Sequence, residues 1–269
     1  MTWLDLTHAL VVGCYLAGTV LVLVGMATGN RRLKTLASVL ALAGFVAHGA
    51  DLAQALRGDT ALLAAGFYLS FIAWVLLALY LVVWWRFRSP FLSLTALPLG
   101  LITYASSLAA DGFKVMLPPA LTGLFFGLHI GVLALALGLM ALAFGAALAF
   151  LHVNRRIKSK ASLTNLDKGM GSLETFDRIN HFAVVAGFVL YTLGLVSSFA
   201  WILLTPGKKL IWDVMNVGAL GVWLLFAVTF HQRLALGWKG RKPAIMAILV
   251  FLCMVVTLLH HTITFSRMP

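Results

Sequence analysis

Apolar residues fill eight long blocks separated by short polar breaks, at roughly 6–28, 35–56, 60–85, 90–110, 120–153, 182–204, 213–232 and 243–265. Each is close to or above the ~20 residues that carry a helix across a bilayer core at about 1.5 Å per residue. The fifth block is long for one crossing, so it tilts or projects past the membrane. The pattern predicts an all-α polytopic membrane protein with eight transmembrane helices, forming a single domain over residues 1–269. Pro118–Pro119 and Pro243 suit the first turns of helices five and eight. Pro98 lies inside helix four and predicts a kink. The one extended polar segment runs from Asn154 to Asn180 and includes Thr164, Asn165, Asp167, Gly169 and Gly171, a loop composition. Its last part, from Ser172 to Glu174 with Asp177, reads as an amphipathic lead-in to helix six.

Composition narrows the class further. The chain is 62% hydrophobic and 10% charged, against about 45–50% and about 25% in soluble domains. A soluble enzyme and a disordered chain are both excluded, and no polar stretch is long enough to fold an extramembrane catalytic domain. Charge then sets the expected orientation. Alternate connections carry 15 basic residues, including Arg31, Arg32, Lys34, Arg86, Arg88, Arg155, Arg156 and Lys158. The other set carries five: Arg57, Lys114, Lys208, Lys209 and Arg267. That bias places both termini on the outer side. Met1 to Thr7 has one acid, Asp5, and no base, which points to a retained first helix rather than a cleavable signal. The net charge of +12 implies affinity for anionic lipid rather than for nucleic acid.

Little catalytic chemistry is visible. Asp51 lies late in helix two and Asp213 opens helix seven; neither has a second carboxylate within helical reach. There is no HExxH, GxSxG or phosphate-cradling glycine loop, so an enzyme is not indicated. Cys14 and Cys253 form no CxxC pair. The histidines are the unusual feature: His8, His48, His129, His152, His181, His231, His260 and His261. His129, early in helix five, and His260, late in helix eight, stand at similar depth below the outer surface. Neutral imidazoles on facing helices can ligate a haem iron or another metal. A lone membrane histidine also serves as an interhelical hydrogen bonder. His129 and His152 share helix five but lie about 34 Å apart, which disfavours a haem-b electron carrier. Trp223 follows Trp212 by about three turns of helix seven, and such a wall suits a flat apolar ligand. Trp84 and Trp85 fit an interfacial aromatic belt.

The run IWDVMNVGALGVWLLFAVTFHQRLALGWKGRKPA resembles the second half of the CcsA/ResC-type cytochrome c assembly proteins. Trp212–Asp213 match the family's WD pair, Trp223 a later tryptophan, and His231 the histidine near the cytosolic end of that helix. Gly237 to Pro243 match its cytosolic turn. Leu128–His129 resembles the LHV element, and His260 or His261 the histidine near the end of the last helix. His48 resembles a histidine in an early helix, and LETFDRINHF, from Leu173, resembles the lead-in to the following helix. Val214, Met215 and Asn216 stand where the family has Pro, Lys and Glu, in a connection reduced to TPGKKLIWDV. That state is similar to the small inner-membrane branch of the YpjD and HemX kind.

The resemblance implies a haem-handling protein of the bacterial inner membrane that holds or presents haem near the outer face during cytochrome c assembly. Its partners would be other assembly proteins or an apocytochrome. His129 with His260 or His261 would ligate the iron. His231 would contact haem near the cytosolic side. Trp212, Asp213 and Trp223 would line the site. Lys208 and Lys209 would face propionates or simply be solvated. The alternative is a membrane scaffold or regulator of haem synthesis or assembly that has lost haem delivery.

Overall fold

The computed structural model describes residues 3–57, 64–87, 92–110, 123–124, 126–160, 171–204 and 212–266. These contain eight α-helices: α1 (Trp3–Thr28), α2 (Arg31–Ala55), α3 (Ala65–Phe87), α4 (Ser93–Ala109), α5 (Val132–Lys158), α6 (Leu173–Leu204), α7 (Val214–Leu234) and α8 (Arg241–Ser266). A π-helical turn, Phe126–Gly131, leads into α5. Seven helices are long and apolar enough to cross a membrane. The remaining one, α4, has 17 residues, about 26 Å at the helical rise. The protein is therefore an all-helical, multi-pass membrane protein. Its exposed leucines and valines, such as Leu16, Val46, Val82 and Val196, face outward as the lipid environment allows.

The helices match the apolar blocks one for one, with one clear extension. α6 begins at Leu173 rather than near residue 182, so the expected lead-in is continuous with the spanning helix. The Ser172 hydroxyl accepts from the Thr175 N–H at 3.1 Å and caps the first turn. Glu174 and Arg178 pair at 2.8 Å on the exposed face, while Phe176, Ile179 and Asn180 are buried. That amphipathic pattern holds polar sequence in a helix. α4 runs through Pro98 as one helix, and Pro243 sits in the first turn of α8. Pro118–Pro119 and the loop residues 161–170 lie outside the described residues, as do Lys114, Arg88, Lys208, Lys209 and Arg267.

Helix packing forms two rings. α1 packs on α2, α2 on α3, α3 on α4, and α4 returns to α1. α5 to α8 repeat the arrangement, with α8 returning to α5. α3 and α4 pack against α5, which joins the rings. α5 does so because its buried face is mostly small: Ala136, Gly138, Ala143 and Ala147 let neighbouring backbones approach.

A clasp closes the second ring at its basic end. Arg233, near the end of α7, is 1% exposed and pairs with Asp177 of α6 at 2.9 Å. It also donates to Asn180 Oδ1 and to the Trp238 carbonyl at 3.2 Å. The Gly240 N–H donates to the same Asp177 oxygen at 3.1 Å. Gly237 and Gly240 hold the intervening turn at φ +62° and +86°, backbone that favours glycine. The GWKGRKPA turn is thus fixed to the amphipathic start of α6.

Candidate functional site

His129 sits in the π-helical turn before α5. A π turn widens the helix and is over-represented at functional positions. Here it brings the ring against α6, where Nδ1–H donates to the Gly194 carbonyl at 2.9 Å. The Ser197 hydroxyl donates to the same carbonyl at 2.7 Å. Because a carbonyl only accepts, Nδ1 carries the proton and Nε2 carries the lone pair in the neutral ring. A backbone carbonyl fixing one nitrogen of a histidine while the other can ligate is the usual outer-shell arrangement of metal-binding imidazoles. Gly194 permits the close approach: a Cβ there would collide with the Leu133 side chain.

His129 lines a cavity of about 180 Å³ bounded by α5 to α8, with Ile72 of α3. α5 contributes Leu133 and Leu137, and α6 contributes Tyr191, Leu195 and Ser198. The Tyr191 hydroxyl donates to the Ala219 carbonyl at 3.2 Å, tying α6 to α7 at the cavity edge. α7 presents Met215, Asn216 and Ala219; α8 presents Met254, Thr257 and Leu258. Met215 and Asn216 are two of the three positions at which this chain departs from the WDPKE run, and both form cavity wall.

The other expected site residues divide. Asp213 is the N-cap of α7, its Oδ1 accepting from the Asn216 N–H at 2.8 Å. It thereby positions Asn216 on the wall. Trp212 is exposed beside it. Trp223 lies deeper, between α6 and α7. Its indole N–H donates to Thr192 Oγ1 at 3.0 Å, and its ring tilts against Phe188 at 6.0 Å. His231 is exposed on the last turns of α7, twelve residues beyond Ala219 and about 18 Å further along the axis. His260 is exposed near the end of α8 and is not among the cavity residues. The side chain of His261 lies outside the described residues. The α8 stripe Met254, Thr257, Leu258 reaches position 261 at the next i+3/i+4 step, whereas position 260 is turned about 100° away.

Sequence reasoning left His48 without a role; the structure gives it partners on two other helices. His48 is fully buried. Its Nδ1 meets the Tyr15 hydroxyl of α1 at 3.0 Å, and its Nε2 meets Ser70 Oγ of α3 at 2.8 Å. Tyr104 of α4 packs edge-on to the ring at 4.4 Å and donates to Asp51 Oδ2 at 3.1 Å. Asp51 also pairs with His8 Nε2 at 3.3 Å. His48 is thus a structural hydrogen bonder of the first ring. Replacing it with leucine removes two interhelical hydrogen bonds, at about 0.6–2 kcal/mol each in membrane helices. A fall of about 1–4 kcal/mol in detergent unfolding stability is expected, with α-helical content retained in the folded state.

The family model described as Cytochrome C assembly protein matches residues 62–265, from the segment before α3 nearly to the end of α8. The chain belongs to this family. The cytochrome c biogenesis protein CcsA of Prochlorococcus marinus strain NATL1A is 30% identical over 217 residues, covering 70% of this chain and 69% of the relative. CcsA of strain MIT 9312 is 28% identical over 214 residues, with 70% and 68% covered. CcsA of Synechococcus sp. strain CC9902 is 27% identical over 212 residues, with 70% of each covered. The match to the family model begins after α2, so the His129 cavity falls inside it and α1 and α2, with His8, His48 and Asp51, fall outside.

Proposed function

We propose that this chain works in cytochrome c biogenesis by holding haem at the His129 cavity. The reading rests on one observation: a half-buried imidazole whose Nδ1–H is fixed by the Gly194 carbonyl, on the wall of an apolar cavity. The residues present fit such a ligand in chemistry. His129 places an imidazole on the wall, the walls are mainly aliphatic, and Asn216 and Thr257 add two polar groups. The enclosed volume of about 180 Å³ is below the ~300–1,000 Å³ of pockets that engulf a drug-sized ligand. A macrocycle held there would be larger than this cavity and would extend beyond its walls. Bound haem would supply an iron for the His129 imidazole to hold; the chain supplies orientation and water exclusion. Trp223 and Asp213 act one step out, Trp223 by locking α6 to α7 and Asp213 by capping α7. In the same reading the protein lies in a bacterial inner membrane, the 15-to-5 basic bias puts both termini outside, and the receiver is an apocytochrome or another assembly protein.

By helical register alone, position 261 is one i+3/i+4 step from Thr257 and Leu258, so of the two alternatives, His260 and His261, we propose the latter as the second ligand. After purification from a haem-replete host, His261→Ala is expected to weaken or shift the Soret band, while His260→Ala and His231→Ala leave it in place. The reverse order would reject this assignment. Two observations favour a second reading. Trp212 is exposed, and the enclosed space is small. A colourless wild-type protein would therefore support a scaffold or regulator within the same family.

A further inference from the structure

We propose that the groove between the C-terminal end of α5 and the start of α8 is a binding site for the phosphate of an anionic phospholipid. The groove encloses about 580 Å³ and is lined by Leu151, Asn154, Arg155 and Lys158 of α5, Ser159, and Arg241 and Ile245 of α8. Its lining is graded. Leu151 and Ile245 lie on the apolar side, and Arg155, Lys158 and Arg241 on the basic side. An acyl chain and a headgroup joined by a phosphate match that gradient; a free anion uses only half of it.

Charge accounting at this end of the bundle supports the assignment. Among the described residues, the carboxylates nearby are already engaged. Asp177 is held by Arg233 and the Gly240 N–H, and Glu174 by Arg178. Lys242 lies over the Trp238 ring at 5.1 Å. Among the described residues, Arg155, Lys158 and Arg241 have no carboxylate within ion-pair distance. Arg241 also opens α8, whose N-terminal dipole end favours a negative group. The span Gly127–Lys158 has 32 residues, about 48 Å, against a hydrocarbon core of about 30 Å. The helix therefore projects past the core, and Arg155, Arg156 and Lys158 in its last turns mark that end as one suited to the headgroup level. Basic pockets between transmembrane helices at that depth suit phosphate-bearing lipids.

The test compares two triple variants that each remove three positive charges from basic connections. One is Arg155→Gln, Lys158→Gln and Arg241→Gln; the other is Arg31→Gln, Arg32→Gln and Lys34→Gln. Wild type and variants are reconstituted in phosphatidylcholine alone, and in phosphatidylcholine with phosphatidylglycerol. Bound lipid is counted by native mass spectrometry after detergent exchange. The wild type and the second variant are expected to retain phosphatidylglycerol, and the first to lose it. Single substitutions in the groove should each weaken retention roughly fivefold; they replace the triple variant if it does not fold. Equal losses in both triples would show generic surface charge and overturn the proposal. Displacement of the lipid by millimolar inorganic phosphate would assign the groove to free phosphate instead and also overturn it. Neither result depends on haem.

Discussion

Arg233→Ala is expected to lower unfolding stability by about 3–5 kcal/mol, the cost of removing one partner from a buried ion pair. The guanidinium is 1% exposed and Asp177 is 17% exposed, so neither water nor salt replaces the lost charge. Asp177 would keep only the Gly240 N–H, and Asn180 would lose a donor. Thermal or SDS-titrated unfolding in detergent measures the change. Arg178→Ala is the control: its partner Glu174 is 79% exposed, and an exposed i,i+4 pair contributes only about 0.3–0.5 kcal/mol. The double variant Arg233→Met, Asp177→Leu should recover part of the loss, because an apolar pair removes the uncompensated charge. Recovery stays incomplete, since the Gly240 N–H would then lack its acceptor. Comparable losses for Arg233→Ala and Arg178→Ala would refute the clasp.

The eight helices were legible because lipid leaves a spanning chain few alternatives: every backbone polar group must be satisfied internally, and apolar length reports that directly. The start of α6 was less so. A polar stretch from Ser172 to Asn180 looks like loop by composition, and only the spacing of Phe176, Ile179 and Asn180 on one face marks it as helix. In the sequence Arg233 stands with Lys239, Arg241 and Lys242 between the seventh and eighth apolar blocks, as one more basic residue of a connection. Charge counting carries no information about burial, and its carboxylate partner lies 56 positions away on α6. A cue was available in Asp177 and Asn180, which sit one turn apart and can converge on a single guanidinium.

His129 was identified as a candidate by depth and by the LHV-like run. What orients it was not visible, because the π turn and the Gly194 carbonyl exist only once α5 and α6 pack. His48 met the same obstacle in a different form: its Tyr15 and Ser70 partners come from two other helices. The choice between His260 and His261 could not be made from adjacency alone. It becomes a question of register once Met254, Thr257 and Leu258 are seen on the wall. The WD pair was legible as a motif, and its physical content is a helix cap that places Asn216.

The second large effect concerns His129 itself. A histidine-to-glycine change removes the imidazole and leaves a ring-sized space beside the Gly194 carbonyl, while the Ser197–Gly194 hydrogen bond within α6 persists. The fold should survive, because that hydrogen bond and the surrounding α5–α6 contacts do not require the ring. Haem ligation should not. Free imidazole can re-enter such a space and offer the same nitrogen. The decisive measurement is the absorption spectrum of the purified wild type and His129→Gly, with and without added imidazole. The account predicts a Soret band in the wild type, at least a tenfold loss in the variant (about 1.4 kcal/mol or more in affinity), and its return with imidazole. A wild-type band that is unchanged in His129→Gly would contradict it.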